Sequence, residues 1–167
     1  YGDVITIGGK EIRVLETPGH APHHLSFLAG DILFAGEVAG VHYPDVEPFY
    51  LRPATPPVFR EEIFRISLNK LTFLPVSRLC FGHYGCRTDT AWVLEQAAGQ
   101  MNLWLKLIGE VLQAGGEEPE REAFRELLVQ DPLLAGFHRL PEDIQNRERY
   151  FLGNSIRGMV ASLCKDG

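Results

Sequence analysis

The chain has 167 residues, 45% of them apolar and 23% charged, which suits one soluble globular domain with its own core. Its formal net charge of −6 argues against nucleic acid and anionic membranes as partners, and no run approaches the roughly 18 apolar residues that span a bilayer. Three cysteines are odd in number and too few for a secreted disulfide framework, which predicts a cytoplasmic protein.

The opening stretch YGDVITIGGK has neither the basic nor the apolar region of a signal peptide, and its start at Tyr1, without methionine, predicts a fragment. Residues 4–16 alternate apolar and polar side chains on either side of Gly8-Gly9, the pattern of a β-hairpin. Residues 24–37 repeat the pattern around Gly30-Asp31. Residues 40–58 are rich in proline and aromatics and read as a loop. Apolar residues at Ile63, Phe64, Ile66, Leu68, Leu71 and Leu74 predict a helix over 61–74, and SRLCFGHYG predicts a short strand ending at a histidine between glycines.

From Thr88 onward the texture is helical. Thr88 or Asp89 is a candidate cap for a helix with Val93, Ala97, Met101, Trp104, Ile108 and Val111 on one face. Pro119 suits the first turn of a second helix carrying Phe124, Leu127 and Leu128. Pro141 opens a third, whose buried stripe is predicted as Ile144, Phe151, Ile156, Met159 or Val160, and Leu163. The expected division is therefore a β-rich part over 1–88 and a helical extension over 89–167 that packs on it as a lid or dimer surface.

Three positions share one design: an apolar strand, a glycine-containing turn, then a side chain able to bind metal. They are His20 after VLETPG, Glu37 after ILFAG and His83 after LCFG. Strands hold their ends rigidly, and a glycine lets the backbone approach closely, so such turns can bring distant ligands to the roughly 2.0–2.2 Å of zinc–nitrogen or zinc–oxygen bonds. A histidine at a strand end is ordinarily a polar surface residue, and a lone glutamate a solvated one. Three such turns together set these apart.

TPGHAPHHLSF, GDILFAGE and FGHYG resemble the second half of the metallo-β-lactamase fold superfamily, over residues 4–85. The resemblance implies an α+β fold: the second ββα half of an αββα sandwich, here followed by the C-terminal helical extension. It also implies that His20 completes one metal site, Glu37 bridges two metals in place of the usual aspartate, and His83 completes the second site. His24 is implied to sit behind the metals and orient the His20 loop, whereas His23 replaces a glycine and inherits no role. The superfamily's H-x-H-x-D-H run is absent from these residues. The isolated chain is therefore expected to lack a complete active site and to need the N-terminal half of the fold as partner.

The implied activity is that of a dinuclear zinc hydrolase, in which metal-bound hydroxide attacks an ester, thioester, lactone or phosphoester-type small molecule. Glu37 is its catalytic candidate, bridging the ions and positioning the hydroxide. Two alternatives stand beside it: an iron-dependent oxidoreductase on the same fold, and a metal-free binding or scaffold module. Tyr43, Phe49, Tyr50 and Arg52 are candidate substrate-binding residues, with Arg52 pairing an anionic group. Cys80 and Cys86 flank His83 as conceivable soft ligands, with Cys80 buried in its strand. An apolar sheet face left without its partner half predicts possible homodimerisation.

Overall fold

The computed structural model describes residues 2–164. Val4–Ile7 (β1) and Lys10–Glu16 (β2) form an antiparallel hairpin. Its two-residue turn places both Gly8 and Gly9 at positive φ, 57° and 76°, which favours glycine and matches the twist of the strands. A second hairpin, Leu25–Ala29 (β3) and Ile32–Gly36 (β4), pairs on through Glu16↔Leu25 to Ile12↔Ala29. Arg78–Phe81 (β7) then adds parallel to β4, and Cys86–Arg87 (β8) closes a six-stranded sheet of order β1-β2-β3-β4-β7-β8.

The stretch read as loop contains a separate two-stranded hairpin, Val41–Tyr43 (β5) and Tyr50–Arg52 (β6). Proline-rich composition pointed away from strands. Burial of Val41, Tyr50, Leu51 and Arg52 overrides it. The helix Glu61–Thr72 (α1) follows, with Phe64, Ser67, Leu68 and Leu71 buried. Leu33, Ala35, Leu79 and Phe81 of the sheet bury in the same apolar core as α1 and the helices after it.

Those helices are Thr90–Ala114 (α2), Pro119–Gln130 (α3) and Glu142–Leu163 (α4), with two short 3₁₀ turns between α3 and α4. Pro119 occupies the first turn of α3, as its missing N–H allows. Asp89 stands at the N-cap of α2, but its carboxylate pairs with Arg87 at 2.6–2.8 Å and caps nothing. Asp131 joins the helices to the small hairpin. Its Oδ2 accepts from Trp104 Nε1 and Gln100 Nε2, both at 2.7 Å, while Gln100 Nε2 also donates to the Leu51 carbonyl at 2.7 Å. The predicted α4 stripe holds for Ile156 and Met159, but Phe151 is 39% exposed and faces a cavity instead.

Among the described residues no layer covers the opposite sheet face. Ile5, Ile7, Leu25 and Phe34 lie on that face with 40–62% of their surface exposed. Cys80 and Cys86, expected as thiols beside a metal site, are bonded to each other across β7 and β8, which takes both sulfurs out of any ligand set. No helix among the described residues is long and apolar enough to cross a membrane.

Candidate metal centre

Three glycine-containing turns open on one side of the sheet, and each is held down from behind. The TPGH turn after β2 rests on α1: Ser67 Oγ donates to the Pro18 carbonyl, and a Cβ on Gly19 would meet the Phe64 ring at 2.9 Å. Gly82, before His83, lies against the Gly36 backbone, where an added Cβ would come within 3.0 Å. Gly36 has φ of 63° and lies so close to His24 that an added Cβ would sit 2.4 Å from Nε2. These approaches let three separate strand ends converge.

His20, Glu37 and His83 meet there. Glu37 Oε2 is 2.7 Å from His20 Nε2, and Glu37 Oε1 is 2.8 Å from His83 Nε2. One carboxylate thus reaches two imidazoles, one through each oxygen. The Nδ1 of His20 donates to the Ala54 carbonyl at 2.8 Å, since a carbonyl can only accept. That bond fixes the ring and turns Nε2 toward Glu37. The hydrogen bond to Glu37 raises the His20 pKa above its ordinary value against the opposing effect of burial. The hydrogen bond from His20, aided by His83, holds the Glu37 carboxyl down to about 2. The cluster favours a negative carboxylate beside positive charge, which a cation can supply in place of protons.

His24 takes no direct part. Its Nε2 accepts from the Glu37 backbone N–H at 3.1 Å, so its proton sits on Nδ1. Nδ1 then faces Thr17 Oγ1 at 2.9 Å; Thr17 Oγ1 contacts Ser26 Oγ at 2.9 Å, and Ser26 donates to the Ala35 carbonyl at 3.0 Å. A fixed donor at one end and a fixed acceptor at the other set every direction in this buried chain. Burial pushes the His24 pKa down, consistent with a neutral ring. His24 therefore ties the TPGH turn to the backbone of Glu37 rather than to the His20 ring. His23 is exposed.

The donor set suits a hard or borderline cation in kind, with two imidazoles and one carboxylate. It is spread over two positions: each has one histidine nitrogen and one carboxylate oxygen. Among the described residues no group of three or more His, Cys, Asp or Glu is arranged to hold a single ion. Two donors per position are half of a four-coordinate shell.

A cavity of about 460 Å³ opens beside the cluster, lined by His20, Glu37 and His83 on one side and by Arg147, Phe151 and Asn154 of α4 on the other. Of the candidate substrate residues, Tyr43 and Arg52 line it. Phe49 lies outside its lining, stacked on His42. Tyr50 is buried behind it, with its hydroxyl donated to Glu148 Oε2 at 2.9 Å, and burial pushes its pKa up. Arg52 borders the cavity but its guanidinium is already engaged. Nε and NH2 reach the two oxygens of Glu148 at 2.5 and 3.2 Å, with Arg52 only 6% exposed. The expectation that Arg52 pairs an anionic substrate is corrected: the charge is spent inside the protein, on a partner 96 residues away. The exposed guanidinium at the cavity belongs to Arg147, which donates to the hydroxyls of Tyr43 and Tyr84 at 3.2 and 3.1 Å.

No protein-family model matches the chain. A metallo-beta-lactamase fold-containing protein of Sulfurisphaera tokodaii is 38% identical over 79 residues, 47% of this chain and 29% of that protein. A hydroxyacylglutathione hydrolase of Xylella fastidiosa is 31% identical over 94 residues, 56% of this chain and 33% of that protein. Among solved structures, a metallo-beta-lactamase family protein of Thermus thermophilus superimposes with a TM-score of 0.64 at 22% identity, covering 99% of this chain and 48% of its own. The chain has the C-terminal half of a metallo-β-lactamase fold. The solved structure of the same archaeal protein, there assigned to Sulfolobus tokodaii, superimposes with a TM-score of 0.62 at 23% identity over 95% of this chain and 49% of that one. The matched stretch spans about a third of these curated relatives, and the chain about half of the solved ones.

Proposed function

We propose that this chain is the C-terminal half of a metal-dependent hydrolase, and that the other half of the fold covers the exposed sheet face and supplies the remaining ligands. The observation that carries the proposal is the Glu37 carboxylate spanning His20 Nε2 and His83 Nε2, one oxygen to each. His20 and Glu37 would hold one cation, and Glu37 and His83 the other. Two cations so placed would supply an activated water and polarise the electrophile.

The chain's own residues do the rest. The Ala54 carbonyl aims His20, His24 anchors the backbone of Glu37, and α4 walls the cavity in which a small molecule would lie against Phe151. Tyr43, Tyr84 and Arg147 place hydroxyls and a positive charge at its edge. An ester or thioester fits this reading best, because a relative carries the name hydroxyacylglutathione hydrolase. Zinc is the proposed metal; the bond between Cys80 and Cys86 stands against the expected cytoplasmic location, where such bonds are rare.

The test uses protein carrying both halves of the fold, assayed on thioester, ester, lactone and phosphoester substrates before and after chelation. The proposal expects hydrolysis that chelator abolishes and Zn²⁺ restores, and that Glu37→Ala and His83→Ala each remove. Hydrolysis unaffected by chelator would refute it.

A further inference from the structure

The helical extension does more than cover the core: α4 lies along residues 52–57, the segment whose Ala54 carbonyl holds His20. Glu148 takes Arg52 through both oxygens, and also accepts from the hydroxyls of Tyr43 and Tyr50 at 3.0 and 2.9 Å. Two turns further on, Ser155 Oγ accepts from the Thr55 N–H at 3.3 Å and points its proton at the Thr55 carbonyl, 3.2 Å away, with the Pro53 carbonyl at 3.4 Å. Gly158 comes next on the same face, and a Cβ there would lie 2.2 Å from the Pro56 carbonyl oxygen. Glu148 is 0% and Ser155 1% exposed. The segment so gripped is Arg-Pro-Ala-Thr-Pro-Pro, stiffened by prolines at 53, 56 and 57. At its centre, Ala54 offers the carbonyl that holds His20 Nδ1.

We propose that α4 is a rack for the metal centre: Glu148, Ser155 and Gly158 are positioning residues that set the Ala54 carbonyl and, through it, the direction of His20 Nε2. Among the described residues the His20 ring has only this bond and its contact with Glu37, so displacement of Ala54 leaves the ring held at Nε2 alone and loosens its orientation about the side-chain bonds. The helix lies more than 90 positions downstream of the segment it holds, which makes the helical extension a working part of the site. The meaning of this rack for a metal rests on the hydrolase proposal; its effect on the ring does not.

The experiment therefore has two arms. In the chain as it stands, solvent exchange of the ring N–H protons of His20 and His24 is followed by NMR in wild type, Glu148→Gln, Ser155→Ala and Gly158→Ala. His24 is the internal control, because its partners are Thr17 and Glu37 and none belongs to the gripped segment. The rack predicts that exchange at His20 rises about tenfold in each folded variant while His24 stays within about twofold. Unchanged His20 exchange would overturn it, and so would a parallel rise at both rings that tracks loss of global stability in urea. If Glu148→Gln does not fold, the serine and glycine variants decide. In protein carrying both halves, Ser155→Ala should weaken Zn²⁺ binding about 10- to 100-fold, as loss of a group that orients a ligand does. A ring that loosens without any change in Zn²⁺ affinity would overturn the link to the metal and leave the rack itself standing.

Discussion

Replacing Gly36 by alanine strikes the backbone that delivers Glu37. The residue sits at φ 63°, where a side chain costs about 1–2 kcal/mol. Alanine returns about 0.4–1 kcal/mol by narrowing the unfolded ensemble. The larger effect is steric: the new Cβ would lie 2.4 Å from His24 Nε2 and 2.8 Å from Cε1, so the ring must leave its place. It then loses the bond from Glu37 N–H and the bond to Thr17, at about 1 kcal/mol each. The expected loss is about 2–4 kcal/mol, read as a shift of the urea midpoint at constant slope. The mechanism is checked by a double-mutant cycle. In a His24→Ala background the clash is gone, and Gly36→Ala should cost only the conformational share, about 1 kcal/mol. A Gly36→Ala loss below about 1 kcal/mol, or equal losses in both backgrounds, would refute the reasoning.

Three further outcomes follow from other parts of the molecule. Burial of His42 lowers its pKa, so the unfolded chain takes up its proton first as pH falls through about 6.5. The stabilisation is full above that pH and declines below it; urea unfolding from pH 7.5 to 5.5 should show a steeper decline for wild type than for His42→Asn, which retains a donor for the Tyr50 carbonyl. His20, with its raised pKa, changes stability in the opposite sense, so only the difference between the two proteins is diagnostic. Asp131→Ala strands the donors of Trp104, Gln100 and Leu133 and should cost about 3 kcal/mol in the same assay, with a change in Trp104 fluorescence. Phe34→Glu, on the bare sheet face, should alter the stability of this chain by less than about 0.5 kcal/mol, yet destabilise protein carrying both halves by at least about 2 kcal/mol. Equal effects in the two proteins would mean that the face stays exposed.

The elements were largely legible in the sequence, because short-range chemistry specifies them. Gly8-Gly9 and Gly30-Asp31 mark turns, alternation marks the strands, and proline marks the start of α3. What stayed hidden depends on distant partners. Nothing near Arg52 announces Glu148, so the arginine read as a free charge; the same distance hid Ser155 and the Ala54 carbonyl. Strands β5 and β6 were obscured by the prolines at 44, 48 and 53 around them, since only tertiary burial decides their conformation. Phe151 shares the 3.6-residue spacing of the buried stripe, and periodicity alone cannot separate a core wall from a cavity wall. The bond between Cys80 and Cys86 depends on the register of β7 against β8, and a count of cysteines contains no register. The three strand-end positions were visible as a pattern. Their meeting at one carboxylate is a matter of how α1, Gly36 and Gly82 fold the turns together.

The central claim is that Glu37 joins two metal positions, and metal analysis tests it most directly. Protein carrying both halves of the fold is purified without added chelator, and its metal is identified and counted by mass spectrometry. Two equivalents of zinc per chain are predicted for wild type, with a marked loss in Glu37→Ala and in His83→Ala. Iron in place of zinc would move the chemistry from hydrolysis toward oxidoreduction, and unchanged metal content in both variants would contradict the bridging role of Glu37.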